Sequence, residues 1–492
     1  MLIYDTLSGK KKKLTKPRGE RPLRLFVCGP TVYDAPHMGH ARTYVAFDAV
    51  VRFLRSRGFN IFFLENITNV DDKIIVRARE RKTDPFTLAL QYENEFHTAM
   101  CAFGVGTVDI YARASEFIPA IIEQIESLVR RGYAYRIPDN GYYFDIAKFK
   151  DYGKLSHRTA LQAEDSVSRI DDGLGKRNKG DFCLWKFVEN TDYTDKKRIT
   201  RMKKKGEYML VNGEPAWKTS LGWGRPGWHI EDTAITETFF GPQYEIHGGG
   251  LDLKFPHHEA EIAEQEAVSG KQPLVRFWMH TGQLLINNKK MSKSLKNFIT
   301  TEEYLSAYGM PPTRAAAVFR LIVLQHHYRS PMNFTEELVA QTNTAYGTIV
   351  SFLARLAFVE KKGTQRGAGK ITLAERKAIE KTFIREMEED LNTPKAIGVL
   401  FSYMSDLQKD IWKLSVKDAE AIRGLFTSLF ATLGLFFDNK PALSVVYKIS
   451  RERELCRKHA QFVQADALRE KLNTLGYEVE DTPLGPFLSK KA

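Results

Sequence analysis

A short apolar run over residues 23–28 stops at Gly29-Pro30, and His37-Met38-Gly39-His40 follows at the start of a helical pattern. Tyr44, Val45, Phe47, Val50, Val51 and Leu54 recur there at helical spacing, and Gly58 closes the segment as a C-cap. A second strand is expected over 60–67 and a second helix over 71–81. Parallel strands need a crossover between them, so this order commits the chain to a parallel α/β sheet. The ligand of such a sheet lies at the C-terminal ends of its strands.

Further along, the pattern changes twice. Residues 121–220 are mixed and polar, with a turn signal at Asp139-Asn140-Gly141, and read as an insertion between two halves of one nucleotide-binding fold. Strand–helix alternation resumes over 244–286. From about Thr301 the pattern is helical until Gly476-Tyr477-Glu478-Val479, which implies an all-α module and a small terminal one.

The chain's 492 residues are too many for one core. No apolar run approaches the ~18 residues of a membrane span. Met1-Leu2-Ile3-Tyr4 meets Asp5 and the lysines of 10–13 too soon for a signal peptide. Cys28, Cys101, Cys183 and Cys456 form no close pairs, which argues for a reducing, cytoplasmic setting. The formal net charge of +13 suits a polyanionic partner bound through its phosphates; a basic surface that keeps the chain soluble is the plainer alternative.

Three islands carry chemistry. His37-Met38-Gly39-His40 sits where a strand gives way to a helix, so backbone N–H groups and the helix dipole favour an anion there. Gly39 permits close approach of a nucleotide, and the two imidazoles can both face its phosphates. Lys290-Met291-Ser292-Lys293-Ser294 reads either as a basic surface loop or as a mobile clamp for phosphates. In Phe255-Pro256-His257-His258-Glu259-Ala260-Glu261, His257 and Glu261 share one face of a helix, a spacing that suits two metal ligands and equally a surface hydrogen bond. Cys28 at the end of the first strand points to the same mouth, unless it is a small buried hydrophobe.

Together with Phe26-Val27-Cys28-Gly29-Pro30-Thr31-Val32-Tyr33-Asp34 and Gly227-Trp228-His229-Ile230-Glu231, these islands resemble the cysteinyl-tRNA synthetases, a family of class I aminoacyl-tRNA synthetases. The resemblance runs over about residues 22–486. It implies an α/β Rossmann-type catalytic domain with an inserted α/β domain, then an α-helical bundle and a small C-terminal anticodon-binding domain. The expected division is 1–120, 121–220, 221–300, 301–425 and 426–492. The activity implied is a cysteine–tRNA ligase: L-cysteine and Mg-ATP form cysteinyl-adenylate, and cysteine passes to the 3′-terminal ribose of tRNA(Cys).

By this resemblance His37, His40, Lys290 and Lys293 are the catalytic residues. Gly39, His247, Gly249 and Asp252, with Lys293, bind ATP, and Thr68, Trp228 and His229 shape the cysteine pocket. The family binds one zinc ion through two Cys, one His and one Glu. Matching residue by residue, Cys28, His257 and Glu261 fall on three ligand positions, and Asp232 stands where the fourth ligand would be Cys. Aspartate is a competent zinc ligand and keeps the charge of the set, but it makes the site harder. Zinc bound to the substrate thiolate would separate cysteine from serine, which shape alone does only about a hundred-fold. A monomer without membrane attachment is expected.

Gly180-Asp181-Phe182-Cys183-Leu184-Trp185-Lys186 also resembles the family, as do His327-Tyr328-Arg329-Ser330-Pro331, Asp390-Leu391-Asn392-Thr393-Pro394 and the stretch 457–485. Residues 196–205 carry seven basic side chains in ten, a segment that could meet phosphates of the tRNA or simply be a solvated loop.

Overall fold

Residues 23–27 pack as the middle strand of a sheet, and Leu23, Leu25, Phe26 and Val27 are completely buried. That is why the run is apolar on both of its faces. The computed structural model describes residues 1–158, 175–188, 202–203, 208–292, 295–364, 372–437 and 444–490. The chain divides into two units, Met1–Thr313 with Tyr328–Asn333, and Arg314–His327 with Phe334–Ala492.

The first unit opens with a hairpin, β1 (Leu2–Asp5) and β2 (Lys10–Lys13), and continues into β3 (Leu23–Val27). Helix α1 (Met38–Ser56) connects β3 to β4 (Ile61–Ile67). Then come α2 (Asp72–Glu80), α3 (Pro85–Ala102), β5 (Ile110–Arg113) and α4 (Ile118–Arg130). Strands β6 (Ala134–Ile137), β7 (Gly141–Phe144), β8 (Phe182–Phe187), β9 (Met202–Lys203), β10 (Tyr208–Val211), β11 (Glu214–Thr219) and β12 (Gly222–Pro226) follow. They form one antiparallel sheet in the order β6-β7-β8-β12-β11-β10-β9. The chain then re-enters the α/β layer with helix Ile230–Phe240, β13 (Tyr244–Gly250), helix His257–Ser269 and β14 (Val275–Thr281).

The central sheet has the order β14-β13-β3-β4-β5, every pair parallel. The chain leaves β3 toward β4 on one side and returns through β13 on the other. The crevice between the C-terminal ends of β3 and β13 is therefore a topological switch point, the place where such sheets hold ligands.

The second unit is helical. Its longest helix, Glu336–Lys362, packs on Val416–Ala431, and Leu373–Glu388 packs on Thr393–Gln408. Thr372 and Glu375 form a capping box, and Asn392 caps the helix that follows. Helices Ser444–Lys458 and Phe462–Thr474 meet a hairpin of Tyr477–Thr482 and Gly485–Lys490. The buried Arg453 grips Asp481 of that hairpin with two bonds of 2.7 and 2.8 Å. Among the described residues, no helix of either unit is long and apolar enough to cross a membrane.

The expected strands and helices of 23–81 and 244–286 are present within a residue or two of their expected ends. Pro256 is the N-cap of the helix His257–Ser269. The lysines of 10–13 form a strand, and Met332–Phe334 is a short strand within a stretch that reads as helical. Most of the basic segment 196–205 lies outside the described residues.

Candidate active site and metal centre

The switch-point crevice opens into a cavity of about 590 Å³. His37, Gly39 and His40 line it, as do Thr68, Trp228, Asp252 and Lys290, together with Cys28, Asp232 and His257. His37 is the N-cap of α1, and its Nδ1 accepts the His40 N–H at 3.3 Å. His40 Nδ1 in turn accepts the His37 N–H at 3.4 Å, and the two rings stack with centroids 3.6 Å apart. Because each Nδ1 is an acceptor, both rings carry their proton on Nε2, which leaves two N–H donors that are not spent on the helix. Burial holds His40 well below its ordinary pKa, with His37 adding to the effect, so the ring is neutral at neutral pH.

The lysine-bearing loop reaches the same place through its backbone. Met38 N–H donates to Ile299 O at 3.1 Å, and Thr301 N–H donates to Pro36 O at 2.9 Å. Asn297 fastens the turn from both sides. Its Oδ1 accepts the Ser292 N–H at 2.9 Å, and its Nδ2 donates to Lys290 O at 3.1 Å. Lys290 is exposed at the rim, whereas Lys293 lies outside the described residues.

Deeper in the crevice, one donor atom from each of Cys28, Asp232, His257 and Glu261 lies within 4.8 Å of the others. His257 Nε2 is 3.0 Å from Asp232 Oδ2 and 2.9 Å from Glu261 Oε1, and Cys28 Sγ is 3.7 Å from that same oxygen. All four side chains are buried, and Glu261 Oε2 makes no well-aligned hydrogen bond although His247 Nε2 lies 3.1 Å away. Burial and then the two carboxylates push the Cys28 thiol well above its usual range. Burial pushes Glu261 up to about 7 against the pull of His257. Burial also disfavours the His257 cation, but Glu261 and Asp232 outweigh it and hold that imidazole at about 10. One thiol, one imidazole and two carboxylates, converging at the deep end of the cavity with little exposed surface, fit a divalent metal ion.

A second set, Cys28, His247, His258 and Glu261, overlaps the first. His247 and His258 direct Nε2 at Cys28 Sγ from 3.3 and 3.1 Å. Neither lines the cavity, while Asp232 and His257 do. The first set therefore has more of its donors on the cavity wall.

Of the residues expected at the nucleotide, His247 and Gly249 sit behind the cavity wall rather than on it. His247 is 1% exposed and packs between Tyr244, Trp278 and Cys28, with its Nδ1 2.7 Å from Tyr244 Oη. His229 also lies behind the wall, its Nδ1 2.8 Å from His257 Nδ1. Three contributors have no role assigned from the sequence, although Asn66 and Lys73 are the ends of the family-like stretch 66–73. Lys73 places its ammonium over the rings of Tyr33 and Trp228, 5.6 Å from each centroid. His280 backs His258 at 2.8 Å. Asn66 lies against Asp232.

Comparison with known proteins agrees over nearly the whole chain. The family description "tRNA synthetases class I (C) catalytic domain" matches residues 14–344, and "DALR domain" matches 382–438. A cysteine–tRNA ligase of Thermoplasma volcanium is 38% identical over 482 residues, covering 98% of each chain. That of Thermococcus gammatolerans is 39% identical over 508 residues, again 98% of each. That of Aquifex aeolicus is 36% identical over 523 residues, 99% of each. Among solved structures, Mycobacterium tuberculosis methionyl-tRNA synthetase in complex with methionyl-adenylate superposes with a TM-score of 0.56 at 16% identity, covering 84% of this chain and 89% of that one. A putative arginyl-tRNA synthetase from Campylobacter jejuni gives 0.56 at 11% identity, with 87% and 95% covered. At those identities the likeness concerns the fold.

Proposed function

Because this chain belongs to the cysteine–tRNA ligase family and joins cysteine to tRNA at the expense of ATP, we propose that Cys28, Asp232, His257 and Glu261 hold a zinc ion at the floor of the cysteine pocket, and that His37, His40, Lys290 and Lys293 serve the ATP phosphates. The observation that carries this reading is the shared cavity, which has His37, His40 and Lys290 at one end and Cys28, Asp232 and His257 at the other. A divalent ion in that set supplies a Lewis acid that favours a thiolate far more than a hydroxyl, which separates cysteine from serine.

The chain's own residues do the rest. The cysteine carboxylate attacks the α-phosphorus of Mg-ATP and pyrophosphate leaves; a ribose hydroxyl of the tRNA then attacks the acyl carbon of the adenylate, forming the ester as AMP and the hydroxyl proton leave. Charge builds on the phosphate oxygens in the first step. The Nε2–H groups of His37 and His40, fixed by the capping box, and the ammoniums of Lys290 and Lys293 are the donors and charges that answer it. Gly39 leaves room for the nucleotide, and Asp252 on the cavity wall takes the ribose. His247 and Gly249 support this wall from behind rather than touching the nucleotide. Thr68 and Trp228 bound the cysteine pocket, with His229 buttressing His257. The protein works as a monomer in the cytoplasm on tRNA(Cys).

The test is to charge a cysteine tRNA transcript with cysteine or serine using enzyme of measured metal content. The expected result is one zinc per chain, cysteine charged and serine refused, with charging lost on chelation and restored by Zn²⁺. Full discrimination by metal-free enzyme would overturn the metal reading.

A further inference from the structure

Asp232 is the chain's departure from the ligand pattern it resembles, and it brings a problem that a thiolate does not have. A carboxylate offers two oxygens, so it can bind one ion through either or both, whereas a thiolate offers a single sulfur. The structure holds one of those oxygens. Asn66 Nδ2 donates to Asp232 Oδ1 at 2.5 Å, and Asp232 Oδ2 faces His257 Nε2 at 3.0 Å.

The direction of the Asn66 amide is not free to reverse. Gly29 N–H, a backbone group that can only donate, points at Asn66 Oδ1 from 2.5 Å. With the carbonyl oxygen pinned there, the amide nitrogen must face Asp232. Its second hydrogen goes to Thr68 Oγ1 at 3.3 Å, and Thr68 Oγ1 donates in turn to Glu231. Asn66 is 1% exposed, so these protein groups are its main hydrogen-bond partners. The clamp is anchored at the residue next to Cys28, which couples the two ligand positions through one side chain.

We infer that Asn66 is a positioning residue that makes Asp232 a one-oxygen ligand, so that an aspartate can stand where a thiolate would without enlarging the coordination number of the ion. This rests on the metal reading above. Loss of a partner of this kind characteristically costs 10–100-fold in metal affinity.

The test uses Co²⁺ and Zn²⁺ binding to the full chain, with Co²⁺ absorption as the reporter of coordination number. Wild type should bind one Co²⁺ with the intense visible bands of a low-coordinate ion. Asn66→Ala should weaken those bands several-fold and lower Zn²⁺ affinity by about 10–100-fold. In an Asp232→Cys background the same substitution should leave the spectrum unchanged, because sulfur has no second oxygen to release. If Asn66→Ala does not fold, Asn66→Ser, whose hydroxyl still accepts from Gly29, carries the same comparison. No metal bound by wild type would sink the metal reading itself. Metal bound, with the bands unchanged by Asn66→Ala or changed alike in both backgrounds, would overturn the role of Asn66 and leave the metal reading standing.

Discussion

At the scale of single residues, His37 has two duties that substitution can separate. Its ring caps α1 and lines the cavity, and in the proposed reading its Nε2–H serves the ATP phosphates. Asparagine is among the best N-caps, so His37→Asn should keep the helix start and remove only the donor. The expected outcome is a fall of about 10²–10³ in the rate of cysteine-dependent pyrophosphate exchange with the melting temperature unchanged. A parallel loss of melting temperature would mean that capping was the larger role. Asp232→Ala is the companion case at the other end. It removes an anionic donor from a buried set, and Zn²⁺ should leave the protein on dialysis against a chelator that wild type withstands. Retention of one zinc by that variant would remove Asp232 from the ligands. Much of this site was legible because its motifs follow strands of a parallel sheet, and the fold gathers such strand ends at one crevice. The Asn66 clamp was not legible. It depends on a hydrogen bond between β4 and helix Ile230–Phe240, far apart in sequence, and an asparagine inside an apolar strand carries no spacing signal.

At the scale of elements, the N-terminal hairpin shows how a charge can mislead. In sequence, Asp5 and the lysines that follow read as a polar interruption of an apolar start. In the fold Asp5 is fully buried. It accepts the Trp278 N–H at 2.9 Å, the Ser8 N–H at 3.1 Å and Lys12 Nζ at 2.7 Å, which fixes the hairpin beside β14. Asp5→Ala removes the acceptor of the Trp278 and Ser8 N–H groups, while Lys12 keeps the Arg276 carbonyl, and should cost about 2 kcal/mol. Burial opposes the Asp5 carboxylate, yet Lys12, Trp278 and Ser8 outweigh it and hold its pKa below the ordinary 3.8. A depressed carboxyl contributes stability that is complete above its unfolded value and fades as pH falls through the folded one. The stability gap between wild type and Asp5→Asn should therefore be constant from about pH 5 to 8 and shrink below about pH 4. A gap that widens in acid would refute the assignment. Gly29 is the other element-scale constraint: a Cβ there would lie 1.6 Å from Asn66 O, because the loop after β3 runs against the end of β4. No side chain fits, and the glycine that reads as a strand-ending turn is required by that close approach.

At the scale of the whole molecule, the sequence pattern resolves what each stretch is made of better than how its strands pair. The parallel layer announces itself through apolar strands buried on both faces. The seven antiparallel strands between Ala134 and Pro226 do not, because each is only two to six residues long and none shows a clean apolar–polar alternation. Net charge is the property that only the entire chain possesses, and its meaning depends on where charge is met. The charged groups at the deep end of the cavity, Asp232 and His257, are buried, so added salt screens them little. A tRNA, in contrast, must be met over a broad surface by exposed cations such as Lys10, Lys11 and Lys13 on β2. If the formal charge of +13 serves RNA binding, raising salt from about 50 to 200 mM should weaken tRNA binding by orders of magnitude, as counterion release requires. Cysteine-dependent pyrophosphate exchange without tRNA should change only a few-fold over the same range. Equal salt sensitivity of the two reactions would locate the effect in the catalytic unit, and a salt-insensitive tRNA step would return the positive charge to the plainer role of keeping the protein soluble.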